Sequence, residues 1–162
     1  MSRAGVVLEL TRLEAAHLAD LVGQFAELVD EAASGDDPAI DRLVPAAYAD
    51  ADAAREFRDL TERELLGRRG DDAALVLASL QDAAELPDDA EEAFLLETVE
   101  LRLDADVVQA WLRTLAAVRL VLATRLGIIE TDDHDHADPR FAIFDWLGYR
   151  LDGLVTALDR DD

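Results

Sequence analysis

The sequence predicts a mainly α protein: a compact helical bundle around one central buried helix at about residues 105–126, with the whole chain, 1–162, forming a single helical domain. Three observations predict it. Apolar residues recur at three- and four-residue spacing through most of the chain, which gathers them on helical stripes. Two short runs, about 5–10 and 98–103, alternate apolar with polar residues and read as strands, enough for at most one small two-stranded β element. The segment Val107–Ile129 carries no acidic residue, in a chain where 37 of 162 residues are acidic. Length alone suits one domain and not two.

Val6, Leu8 and Leu10 form the first alternating run. Thr11-Arg12-Leu13-Glu14 follows as a capping box, in which threonine and glutamate each satisfy a free backbone N–H of the first turn. Leu18, Leu21, Val22, Phe25, Leu28, Val29 and Ala32 then share one stripe, predicting a helix over 12–34 that Gly35 stops. Asp37-Pro38 opens a short helix, because proline suits a first helical position, and Pro45 ends it. Residues 50–60 predict a further short helix with Phe57 and Leu60 inward. Thr61-Glu62-Arg63-Glu64, a second capping box, starts another that reaches about Ala84. Gly67-Arg68-Arg69-Gly70 is expected to break or kink it. Residues 85–93 read as an exposed acidic linker.

Val99, Leu101 and Leu103 oppose Glu100 and Arg102 in the second strand. Asp104 then caps the 105–126 helix and Gly127 stops it. The last helix opens at Asp138-Pro139 and runs to about Leu158, with Phe141, Phe144, Leu147, Leu151, Leu154, Val155 and Leu158 on one face.

The 105–126 helix is apolar on nearly every side, which places it centrally. Its charges, Arg113, Arg119 and Arg125, therefore need partners, since an unpaired buried charge is prohibitively costly. The return from Gly127 to Asp138 predicts antiparallel packing of the last two helices. That sets Arg119 level with Asp145, with Arg125 as the competing donor. The expectation is a structural ion pair among Arg119, Arg125 and Asp145.

Composition excludes several functions. A formal charge of −22 has the wrong sign for phosphate backbones and for anionic membrane surfaces. Three arginines inside the longest apolar stretch, each costing roughly 2.5–3.5 kcal/mol at a bilayer centre, argue against a membrane span. Arg3, Glu9 and Arg12 frame an apolar run too short for a secretory leader, so the expected location is cytoplasmic. All 15 basic residues are arginine, and cysteine is absent. Lysine Schiff bases, Walker-type phosphate loops and thiol nucleophiles are excluded with them.

WLRTLAAVRLVLATRLGI (111–128), with DPRFAIFDWLGYRLDGLVTAL (138–158) after an acidic loop, resembles the C-terminal signature of the actinobacterial DUF2017 family. EFRDLTERELL (56–66) and GVVLEL resemble its central segment and opening strand. Arg119, Arg125, Gly127, Asp145 and Trp146 stand where the family pattern has them. The resemblance implies a small helical protein of unestablished activity, with genes often near that of the Clp protease adaptor, and it transfers no catalytic residue.

Candidate chemistry is sparse. His134, His136 and Asp138 lie in an acidic loop whose imidazoles and carboxylates have the composition of a divalent-metal site; the plainer reading is a solvated loop whose last aspartate caps the final helix. No cofactor is expected. His17 sits at the edge of a helical stripe, a packing position more than a base. Ser34 and Ser79 lack the flanking glycines of a nucleophile elbow. Arg68 and Arg69, between two glycines, have the chemistry to hold an anion, with a solvated helix break as the plainer reading. Trp146 and Tyr149 fall away from the apolar face of the last helix and are the candidate partner or dimer surface. The expected function is thus a non-enzymatic, regulatory or adaptor-like interaction protein, homodimeric or bound to a protein partner, without nucleic acid. A metal-binding protein or metal-dependent enzyme built on His134–Asp138 is the alternative, and a DNA mimic a weaker third.

Overall fold

A computed structural model describes residues 5–31, 38–43, 51–128 and 137–160. In chain order these form β1 (Val6–Thr11), α1 (Arg12–Glu31), α2 (Pro38–Leu43), α3 (Ala51–Ala84), α4 (Glu92–Leu95), β2 (Thr98–Leu103), α5 (Ala105–Leu126) and α6 (Ala142–Arg160), the last entered through a 3-10 turn at Pro139–Phe141. The protein is mainly α, with one small antiparallel ribbon. β1 pairs with β2 in the register Val6↔Leu103 through Thr11↔Thr98. The alternation places Val6, Leu10 and Leu103 in the core and leaves Val7, Glu9, Glu100 and Arg102 in solvent. A two-stranded ribbon is marginal by itself; here its inner face is covered by helices.

α5 forms as its ends dictate. The Asp104 carboxylate accepts from the Val107 backbone N–H at 3.0 Å. At the far end Gly127 adopts φ 74°, and two hydrogen bonds, Ile128 N–H to the Ala123 carbonyl and Gly127 N–H to that of Thr124, close a Schellman motif. Ile128 then buries against Ala123 and Phe144, the apolar contact that accompanies such a stop.

α5 packs on α2, α3 and α6 and touches α1 and β2, so it is the centre of the bundle. It is long and apolar enough to cross a membrane by length and composition; in the fold 44% of its most apolar stretch is buried within the protein. Its encasement is incomplete. Gln109, Arg113 and Ala116 form an exposed stripe, where a wholly buried helix was expected. Trp111 is 1% exposed, and its indole N–H donates to Ser79 Oγ at 2.9 Å, which in turn donates to the Val76 carbonyl at 2.6 Å. Ser79 therefore serves the core and not nucleophilic chemistry.

Two expectations need correction. The helices predicted at 50–60 and 61–84 are one helix, α3, and Gly67-Arg68-Arg69-Gly70 lies unbroken within it. The physical reason is tertiary: Leu66, Ala73, Val76 and Leu80 are buried against α1 and α5, and that burial outweighs a glycine penalty of about 1 kcal/mol each. Overlapping the end of the segment read as linker (85–93), Glu92–Leu95 forms the short helix α4, on whose Phe94 ring the Arg12 guanidinium sits at 4.7 Å. The side chains of Phe57 and Leu60 lie outside those described.

Candidate functional site

The site begins at the N-terminus of α1, where the capping box forms as the sequence predicts. Glu14 N–H donates to Thr11 Oγ1 at 3.0 Å, and Thr11 N–H donates back to Glu14 Oε1 at 3.3 Å. The other carboxylate oxygen, Oε2, reaches out of the turn. It accepts from Trp146 Nε1 at 3.2 Å and from Arg150 Nη2, both on α6. Arg150 also donates through Nη1 to the Glu9 carbonyl of β1, at 3.2 Å. One carboxylate and one guanidinium thus tie β1, α1 and α6 together. Partial burial pushes the Glu14 pKa up, but the hydrogen bond and charge of Arg150, with the Thr11 and Trp146 donors, prevail and hold it below its ordinary value.

Beside this knot a cleft of about 470 Å³ opens between α1 and α6. Glu14, His17, Asp20 and Leu21 line it from α1, at the three- and four-residue spacing of one helical stripe; Ala142, Ile143 and Trp146 line it from α6. Its walls are mostly apolar, Ile143 is 49% exposed, and the carboxylates sit at its margin. Chemically the lining suits an apolar group with a positive charge nearby. It is a poor acid–base centre: Glu14, with both oxygens accepting donors and its pKa lowered, neither delivers nor takes a proton readily near neutrality.

The predicted residues fall as follows. Arg119 extends from α5 to α6, where Nε donates to the Phe144 carbonyl at 3.2 Å and the guanidinium covers the Phe144 ring at 4.0 Å. Asp145 is the next residue, half-buried in the first turn of α6, where a negative charge suits the helix dipole. Arg125 is exposed in the last turn of α5, the favourable end for a cation. Contacts of Arg119 with Phe144 and Gly148, and of Ala123 and Ile128 with Phe144, run in opposite chain directions, so α5 and α6 pack antiparallel. Trp146 and Tyr149 part company: Trp146 is half-buried on Glu14, whereas Tyr149 is 71% exposed. Asp138 accepts through its carbonyl from Phe141 N–H in the 3-10 turn. His134 and His136 lie outside the described residues.

Sequence reasoning missed Arg150 and the facing of Leu21 with Ile143. The stripe Glu14-His17-Leu21 was readable as spacing, but no local pattern says that α6 crosses it.

No curated protein and no solved structure matches the chain. The profile described as "Domain of unknown function (DUF2017)" matches residues 1–158. With nearly its whole length matched, this chain belongs to the DUF2017 family.

Proposed function

We propose that this protein is a non-enzymatic, regulatory or adaptor-like interaction protein that receives a basic partner protein in the cleft between α1 and α6. The observation that carries the reading is an apolar cleft edged by Glu14 and Asp20 on a chain of net charge −22. An apolar anchor beside the Asp20 carboxylate, with Glu14 already matched to Arg150, selects a cationic, amphipathic segment, and the overall charge steers such partners towards it. Tyr149, exposed on the same helix one turn beyond Trp146, offers a further aromatic contact outside the cleft lining. Two copies of so acidic a chain repel, which favours a different, basic protein over self-association.

Quantitative capture from a native lysate tests this with wild type and Ile143→Asp as baits. Ile143 is exposed enough for the variant to fold. Basic proteins recovered by wild type are expected to fall about tenfold with the variant, equivalent to about 1.4 kcal/mol. Equal recovery by both baits overturns the proposal. Sedimentation of both proteins provides the second arm: a wild-type dimer that Ile143→Asp dissociates assigns the cleft to a second copy instead.

A further inference from the structure

Apart from that cleft, α3 and α5 enclose a depression of about 500 Å³ lined by Leu65, Arg68, Arg69, Asp71, Asp72 and Arg113. Three of the protein's 15 arginines meet there, in a chain with 37 acids available to neutralise them. Because α3 is continuous, Leu65, Arg68, Arg69 and Asp72 stand at i, i+3, i+4 and i+7 and share a face. Arg113 completes the group from α5. It is held in place by a two-point bridge to Asp72, Nε to Oδ2 at 2.8 Å and Nη2 to Oδ1 at 3.0 Å. That bridge cancels the Asp72 charge and leaves Arg113 Nη1 uncommitted by it.

Arg69 is the telling residue. Among the described residues neither it nor Arg68 forms an ion pair, and Arg69 Nε is buried with no protein partner. Arg12 and Arg150 also leave Nε unpartnered, but both anchor their guanidinium groups through Nη2 on a glutamate. Arg69 has no such anchor. With Arg113 matched to Asp72, the local balance is two free guanidinium groups against the single carboxylate of Asp71. At physiological ionic strength the screening length is about 8 Å, so acids beyond it count for little here, and Glu64, one turn before Arg68 on α3, is the near carboxylate outside the lining.

We propose that this depression is an anion site for a small molecule bearing a phosphoryl group, gripped by Arg68 and Arg69 with Arg113 as the fixed wall. Guanidinium forks match phosphoryl oxygens bidentately, and a dianion answers more than one of them. Leu65 offers an apolar surface to the remainder of the ligand.

Calorimetric titration of the full chain with inorganic pyrophosphate, at constant ionic strength, tests the site. Saturable binding is expected, weakened at least tenfold in Arg69→Gln and unchanged in Arg102→Gln, which removes an exposed arginine on β2. Absent binding, undiminished binding in Arg69→Gln, or an equal loss in Arg102→Gln overturns the proposal. Should Arg69→Gln fail to fold, arginine Nε–H resonances of the wild type decide: shifts centred on Arg68, Arg69 and Arg113 support the site, and shifts elsewhere refute it.

Discussion

A missing methyl group at Gly148 determines where Arg119 lies. A Cβ built there would stand 2.8 Å from Arg119 Nη2 and 3.0 Å from its Cζ, so glycine is what lets the guanidinium lie flat on α6. Elsewhere in a helix, replacing glycine by alanine gains about 1 kcal/mol. Here that gain is opposed by displacement of Arg119 from Phe144. Gly148→Ala is therefore expected to stabilise an Arg119→Ala background by about 1 kcal/mol and to stabilise the wild type less, or to destabilise it. Urea unfolding of the four proteins measures the coupling; additive effects would show that the close approach has no energetic weight. The sequence made the need for an Arg119 partner legible, since a charge on an apolar helix must be answered. It did not show that a backbone carbonyl and an aromatic face answer it. Spacing gives the height of a residue on a helix and not the atom it will meet.

Among the elements, α3 carries the clearest test. Its two glycines read as punctuation, yet the helix passes through both because Leu66, Ala73, Val76 and Leu80 are buried against neighbours on either side of them. Gly67 is exposed, with open space where a Cβ would go. Gly67→Ala is thus expected to raise stability by about 0.5–1 kcal/mol, read as a higher urea midpoint at unchanged slope. A loss of stability would mean that the backbone there needs glycine and that the helix is not continuous in solution. The other elements were more legible. Strand alternation at 98–103, the Thr11–Glu14 box and the Asp104 and Gly127 termini are each set by neighbours a few residues away. Local rules suffice where local contacts decide, and they failed in α3, where distant packing did.

For the molecule as a whole, acid has two opposed effects. Protonating surface carboxylates relieves the self-repulsion of a −22 chain, whereas protonating Glu14 loosens the knot among β1, α1 and α6. The pKa of Glu14 in the fold lies below its ordinary value of 4.5, so its contribution is complete above that pH and disappears as pH falls through the folded-state value. The stability gap between wild type and Glu14→Gln is expected to be constant near neutrality and to narrow below about pH 4.5. Unfolding free energies measured across that range check it, and a gap that widens on acidification contradicts the assigned sign. The cleft beside Glu14 was legible only as one stripe of α1, because no sequence rule brings the last helix across the first. The same long reach governs the ribbon: pairing Val6 with Leu103 leaves most of the chain between its strands. At elongation rates of about 5–20 residues per second, the N-terminal strand emerges from the ribosome many seconds before its mate exists. Throughout that interval Val6, Leu8 and Leu10 have no β2 to pair with, so β1 needs shielding from other nascent chains until β2 follows it.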